Sequence, residues 1–257
     1  MNRIKNAFNN KKAFIPFITA GDPSKEATIE YILEMEKAGA SLIEIGIPFS
    51  DPIAEGPVIQ EANIRALSKK MTTDQVFEIV LEVRKSSNIP ICLMTYLNPV
   101  FHYGYEKFFK KCQEVGVDGI IIPDCPFEES KEVTEVCYKY DVDFISMIAP
   151  TSKKRTIQIA SQAKGFIYLV SSMGVTGMRK RIDGDIAGIV ETIKTVTDTP
   201  IALGFGINNV EQVEYFSQFV DGIIVGSAIV NIIKENKNHA HQPLHDYVSS
   251  LTSVLLG

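Results

Sequence analysis

The sequence predicts an α/β protein: a single (β/α)8 barrel over residues 1–257 with a short N-terminal helix. Three observations predict it. Short β-branched apolar runs recur eight times, helical patterns separate them, and several junctions repeat one small theme. The runs cover residues 13–19, 41–48, 90–97, 117–123, 143–149, 165–171, 200–206 and 221–226. Each is apolar on both alternating faces, as in VDGIIIP and DGIIVG. Such a run suits a parallel strand buried on both sides, because a half-exposed strand alternates with polar residues.

Helical patterns fall between them at residues 24–38, 73–87, 106–115, 128–140, 153–163, 186–197 and 210–219. Alternation of this kind fits a closed barrel or a doubly wound open sheet. The junctions KAGASLIEI, EVGVDGIII and QFVDGIIV repeat an equivalent unit with no break in composition, which favours closure and needs no second domain. Residues 1–9 read as a short helix covering one end of the barrel. The longer connections, 49–72 and 172–185, both run from strand to helix, and in barrels that side carries the active site.

Composition narrows the function. With 45% hydrophobic and 22% charged residues the chain is ordinarily globular, and its net charge of -5 argues against a nucleic-acid partner. No apolar run approaches the ~20 residues of a membrane helix. The start, MNRIKNAFNNKK, lacks the apolar core of a signal peptide, so a cytoplasmic location is expected. Cys92, Cys112, Cys125 and Cys137 form no CxxC pair and read as reduced, structural thiols. His102 sits in a loop, while His239, His241 and His245 crowd the tail. Without a carboxylate or cysteine at ligand spacing they read as part of a solvated tail, and no metal is expected.

Glu44 is the first candidate for chemistry. If Ile43, Ile45 and Ile47 face the helices, period two points Glu44 into the barrel near the end of its strand. Burial there raises a carboxyl pKa toward the range of a general acid–base group. A structural carboxylate bound to a neighbour has the same sequence signature. The next loop, FSDPIAEGP, holds Asp51 and Glu55 between prolines and a glycine that fix its backbone over the mouth. Taken alone, it reads equally as a solvated acidic loop, and Asp124 as a turn into a helix.

Two glycine clusters, Gly204-Phe205-Gly206 and Val225-Gly226-Ser227, end the seventh and eighth runs. Barrels bind phosphate between these loops, where a short helix offers free N–H groups and glycine lets the backbone come close. Ser227 is placed to add a hydroxyl and to cap that helix. The loop after the sixth run, Ser171 to Arg181, combines Gly174 and Gly177 with a basic run and reads as a lid or a solvated face. Tyr168 on the sixth run is a hydrogen-bonding group or plain core. No lysine lies in the C-terminal half of a strand, since Lys164 precedes its run, which disfavours a Schiff-base aldolase. No histidine cluster reaches the mouth and no GxGxxG opens an early helix. What remains is carboxylate acid–base chemistry on a phosphorylated substrate, with no cofactor.

The run LIEIGIPFSDPIAEGPVIQ (42–60) closely resembles the signature of the tryptophan synthase α subunit family. The likeness continues through FITAGDP (17–23), MTYLNP (94–99), GIIIPDCP (119–126), GVTG (174–177), GFGI (204–207) and VGSAIV (225–230). The resemblance implies retro-aldol cleavage of indole-3-glycerol phosphate to indole and glyceraldehyde 3-phosphate. It gives Glu44 the role of catalytic glutamate and puts Glu55 where the family usually has aspartate, facing the indole N–H. That exchange keeps the charge but moves the carboxylate by about 1 Å. By the same resemblance Tyr168 lines the site, and Gly177, Gly206, Gly226 and Ser227 hold the phosphate. Phe17, Leu93 and Ile224 contact the indole, Phe205 adjoins the phosphate loop, and Thr176 orders the lid. The partner implied is a pyridoxal-phosphate-bearing β subunit that consumes the indole in an α2β2 complex, its cofactor not expected on this chain. A phosphate-binding barrel isomerase is disfavoured by IEIGIPFSDP. A stand-alone indole lyase and a non-catalytic regulator remain rivals, the latter suggested by the departure at Glu55.

Overall fold

The structure is a computed structural model that describes residues 3–9, 11–150, 152–171 and 185–255. In chain order, helix α1 (Arg3–Ala7) precedes β1 (Ala13–Thr19), α2 (Lys25–Lys37), β2 (Ile43–Gly46), α3 (Pro57–Ser68), α4 (Thr73–Val83) and β3 (Ile91–Met94). Next come α5 (Leu97–Tyr103), α6 (Tyr105–Val115), β4 (Gly119–Ile121), α7 (Lys131–Lys139), β5 (Asp143–Phe144), β6 (Ser146–Ile148) and α8 (Lys153–Ala160). The last third holds β7 (Ile167–Val170), α9 (Ile186–Lys194), β8 (Ile201–Gly204), α10 (Val210–Ser217), β9 (Gly222–Val225), α11 (Ser227–Asn236) and α12 (His241–Ser253).

Every strand pairing is parallel, in the order β5-β4-β3-β2-β1-β9-β8-β7-β6. The two ends of that order are halves of one strand. They are separated only by Ile145, whose N–H donates to Ile120 O at 2.9 Å. The ring therefore closes through the chain itself, and the eight predicted runs become the eight staves of a barrel.

Period two sorts each strand onto two cores. Phe14, Ile18, Ile45, Leu93 and Ile120 join the helices in an outer layer, while Ile15, Phe17, Cys92, Met94, Tyr168 and Ala202 fill the interior. Both faces are dry, which is why the runs show no polar alternation. All four cysteines are free and buried. The repeated junction theme has a physical basis. Ser41 Oγ accepts from Phe14 N at 3.3 Å, Asp118 Oδ2 from Ile91 N at 2.8 Å, and Asp221 Oδ2 from Ile201 N at 2.9 Å. At each junction, a short polar side chain satisfies a backbone donor at the start of the preceding stave.

The N-terminal end of the barrel is closed by α1, whose Ile4 is fully buried in the interior cluster. There Asp118 also receives Arg3 Nε and Arg84 Nη2, each at 2.9 Å, and Arg84 donates to Gly116 O and Ile89 O.

Two expectations are corrected. The tail is not solvated: α12 packs Leu244, Val248 and Leu251 into the outer core. His241 Nε2 and His245 Nδ1 meet Glu30 and Glu34 of α2 at 2.9 and 2.8 Å. The 49–72 connection is not all loop, since α3 occupies much of it, with Pro57 in its first turn and Ile59, Ala62 and Ala66 on its buried face.

Arg84 and Asp118 are each only 11% exposed in their side chains, and removing one partner of a buried pair strands the other charge. Arg84→Ala is expected to lower unfolding free energy by about 3 kcal/mol, read from the urea midpoint. A loss well under 1 kcal/mol would mean that the carbonyl and carboxylate contacts of Arg84 add little to the fold.

Candidate active site

Strand β2 is buried along its whole length. Ile43 and Ile45 lie in the outer core and Leu42 in the inner one, so Glu44 points into the barrel. Its backbone neighbours across the sheet are Phe17 and Cys92. Glu44 is 1% exposed, and its Oε2 has no hydrogen-bond partner among the described residues. Burial, and secondarily the Glu55 carboxylate, push its pKa up to about 8. Among the described residues, Oε2 thus lacks the hydrogen bond that a purely structural carboxylate would make.

Glu44 lines a cleft of about 450 Å³, its solvent-open mouth included. The wall is made possible by two missing side chains. A Cβ on Gly46 would fall 2.6 Å from Phe17 Cζ, and one on Gly204 would fall 2.5 Å from the Tyr168 hydroxyl oxygen. Glycine at these positions lets the Phe17 and Tyr168 rings lie flat over neighbouring strands. Tyr168 meets Phe205 edge to face at 5.9 Å. Burial, then the Glu44 charge, hold the Tyr168 phenol well above its ordinary pKa.

Glu55 arrives from the loop after β2 and is 6% exposed, whereas Asp51 is exposed. Asn63 Nδ2 of α3 donates to Glu55 Oε2 at 2.5 Å, and Tyr96 also hydrogen-bonds this carboxyl. Tyr96 in turn accepts from Ala54 N at 3.1 Å, which ties the loop to the end of the third stave. Burial pushes Glu55 up to about 7, against the lowering effect of Asn63 and Tyr96. The whole segment is anchored by Arg65 of α3, which binds Asp22 through Nε at 2.9 Å and Nη2 at 2.7 Å. That bidentate pair fixes α3 to the loop after β1. Asp124 has a structural part nearby, accepting from Leu97 N at 2.8 Å at the start of α5.

At the far side of the cleft lie Phe205, Gly206, Ile207, Gly226 and Ser227. Phe205 and Gly206 have φ of 72° and 88°, a turn that brings backbone to the cleft edge. Helix α11 begins here with Gly226 as its N-cap and no side-chain cap, leaving first-turn N–H groups for a ligand.

Of the residues expected from sequence, Phe17, Glu44, Tyr168, Phe205, Gly206, Ile224, Gly226 and Ser227 share this cleft, with Glu55 buried beside Glu44. Leu93 does not. Strand parity turns it into the outer core, and Met94, one residue on, lines the cleft instead. Ser227 does not cap α11; it is the first helical residue. Thr176 and Gly177 lie outside the described residues. Sequence reasoning missed Ile59, Met94 and Ile207 in the lining and Asn63 and Tyr96 around Glu55. The inward parity of Met94 follows only once the register is known, because Met94 pairs with Gly46, two residues from Glu44 on β2. Asn63 carried no signal until α3 was recognised as a helix.

Comparison with known proteins agrees with this architecture. The family described as "Tryptophan synthase alpha chain" matches residues 4–253. A tryptophan synthase alpha chain of Halalkalibacterium halodurans is 46% identical over 245 residues, covering 95% of this chain and 92% of that one. One from Lactiplantibacillus plantarum is 45% identical, covering 100% and 97% respectively. The solved tryptophan synthase subunit alpha of Legionella pneumophila superposes with a TM-score of 0.88 at 36% identity, covering 99% of this chain and 98% of that chain. A chain from the tryptophan synthase α2β2 complex of Pyrococcus furiosus does so with 0.88 at 37% identity, covering 95% and 99%. A family match over nearly all its length and close relatives of the same span agree: this chain belongs to the tryptophan synthase alpha chain family.

Proposed function

We propose that this chain cleaves indole-3-glycerol phosphate to indole and glyceraldehyde 3-phosphate, with Glu44 as the acid–base group and Glu55 facing the indole N–H. The observation that carries the assignment is the buried carboxyl of Glu44, whose Oε2 has no hydrogen-bond partner among the described residues and whose pKa burial pushes up to about 8. At neutral pH it is mostly protonated and able to donate. Its proton goes to indole C3, which loads positive charge onto the ring nitrogen. The C3–C1′ bond then breaks toward the ring as the C1′ hydroxyl returns a proton to Glu44. One residue thus serves as acid and then as base, with no net gain or loss of protons. A carboxylate at Glu55 stabilises the transient charge at the ring nitrogen, and its bonds to Asn63 and Tyr96 hold it ready before the charge develops.

Tyr168, Phe17, Met94, Ile59 and Ile224 supply an apolar slot for the indole ring. The N-terminus of α11 and the Gly206 turn receive the phosphate, with Ser227 beside them. By the family pattern alone, Gly177 is assigned to the phosphate donors and Thr176 to ordering the lid. Indole is passed to a β subunit in an α2β2 assembly, a reading supported by the likeness to a chain of the Pyrococcus furiosus tryptophan synthase α2β2 complex. Four free cysteines accord with a cytoplasmic place of work, and among the described residues no helix is long and apolar enough to cross a membrane.

The direct test is indole release from indole-3-glycerol phosphate, with and without a β subunit. Glu44→Gln keeps the shape and removes the ionisable proton, and it is expected to lower kcat by roughly 10³-fold or more in both conditions. No turnover by the unmodified chain even with a competent β subunit would leave a phosphate-ester-binding regulator as the better account.

The same substitution tests the buried charge by a route independent of activity. The folded-state pKa of about 8 lies above the ordinary carboxyl value of 4.5. Glu44 therefore weakens the fold progressively as pH rises from about 4.5 through 8, and below that window its ionisation adds no cost. Glu44→Gln is expected to raise Tm by roughly 5 °C or more at pH 9, with a much smaller gain at pH 5. Equal shifts at both pH values would show that the carboxyl is not buried as a charge.

A further inference from the structure

The Phe205–Gly206 turn is braced on both sides by side chains outside the substrate cleft. Ser171, fully buried, donates from Oγ to Phe205 O, and its N–H donates to Gly204 O at 3.1 Å. Asn208 Nδ2 donates to Gly206 O at 2.9 Å. Asn208 is itself held from two directions. Its N–H donates to Gln212 Oε1 at 2.9 Å, and its carbonyl accepts from the Tyr247 hydroxyl of α12 at 2.8 Å.

These contacts matter because a peptide is planar, with its C=O and N–H pointing to opposite sides. Pinning the Phe205 carbonyl fixes the direction of the Gly206 N–H. Pinning the Gly206 carbonyl fixes that of the Ile207 N–H. Both residues line the cleft. A turn with two successive positive φ values, one of them at a phenylalanine, holds its shape only where its surroundings fix it.

We infer that Asn208 and Tyr247 are positioning residues for phosphate recognition: the last helix, through Tyr247 and Asn208, aims the backbone donors of the Gly206 turn at the substrate's phosphate. This deepens the proposed function and rests on its assignment of the phosphate to that turn. Neither side chain is among those lining the cleft, so each acts through the backbone. Tyr247 is 39 residues from Asn208 in sequence, and the hydroxyl contact links the C-terminal helix to substrate affinity.

The experiment compares indole-3-glycerol phosphate with its dephosphorylated counterpart, indole glycerol, in the wild type, Tyr247→Phe and Asn208→Asp, each with its β subunit. Binding of glycerol 3-phosphate is followed in parallel by calorimetry. Tyr247→Phe removes only one hydroxyl and is expected to raise KM for the phosphate ester about 5-fold, with kcat within about two-fold. Asn208→Asp replaces a donor to Gly206 O with a repelling oxygen and is expected to raise that KM by ~10-fold or more. Glycerol 3-phosphate should weaken by matching factors, and turnover of indole glycerol should not change. Equal losses on both substrates, or unchanged KM in both variants at unchanged Tm, would overturn the inference. If the wild type itself fails to distinguish the two substrates, the phosphate assignment falls first.

Discussion

A carboxyl group sealed inside a parallel barrel is the constraint from which the rest of this site follows. Glu44 has no partner for its Oε2 among the described residues and stands on a strand buried on both faces. In that setting the ionised form is strongly disfavoured, and an acid that ordinarily ionises near pH 4.5 keeps its proton at neutrality. Inward parity on β2 puts it there, Gly46 opens the space beside it for the Phe17 ring, and Glu55 from the following loop adds like charge. Replacing any of these changes the proton affinity of one group.

The barrel separates this destabilising arrangement from what holds it together. At the end closed by α1, the charged groups are paired: Asp118 with Arg3 and Arg84, and Asp221 with the first amide of β8. At the mouth, Arg65 and Asp22 form a two-point clamp, so α3 is braced before Asn63 can hold Glu55. Rigidity is supplied by neutralised pairs around the rim and base. In the proposed reaction Glu44 and Glu55 are left to be stabilised by the substrate.

Much of the fold was legible because burial on both faces writes an unambiguous pattern. Eight apolar runs, three related junctions and longer strand-to-helix connections were enough to expect closure. The carboxyl pKa was legible for the same reason, since Glu44 interrupts a branched apolar stretch. Three features were not. Leu93 and Met94 are both apolar, so composition cannot say which faces inward; only the pairing with Glu44 and its neighbours decides. Helix α12 has buried positions at Leu244, Val248 and Leu251, but three histidines and few flanking apolar residues masked that spacing. The supports of Glu55 come from a helix hidden in a proline- and glycine-rich stretch and from a tyrosine on the next stave, contacts that exist only after folding.

The closeness of the two carboxyl pKa values, about 8 and about 7, has a thermodynamic consequence. Both carboxyls are raised toward neutrality, so near that pH protons are divided between Glu44 and Glu55 as a coupled pair. The proposed reaction needs a proton on Glu44 and a charge on Glu55. A substrate that settles it there need not draw a proton from the buffer, while one that dries both carboxyls equally must. The enthalpy of binding therefore carries a contribution set by the ionisation heat of the buffer, and its size reports how many protons the ligand brings in or drives out. In the proposed reaction the pair would serve as a small proton reservoir for the one proton that a turnover borrows and returns.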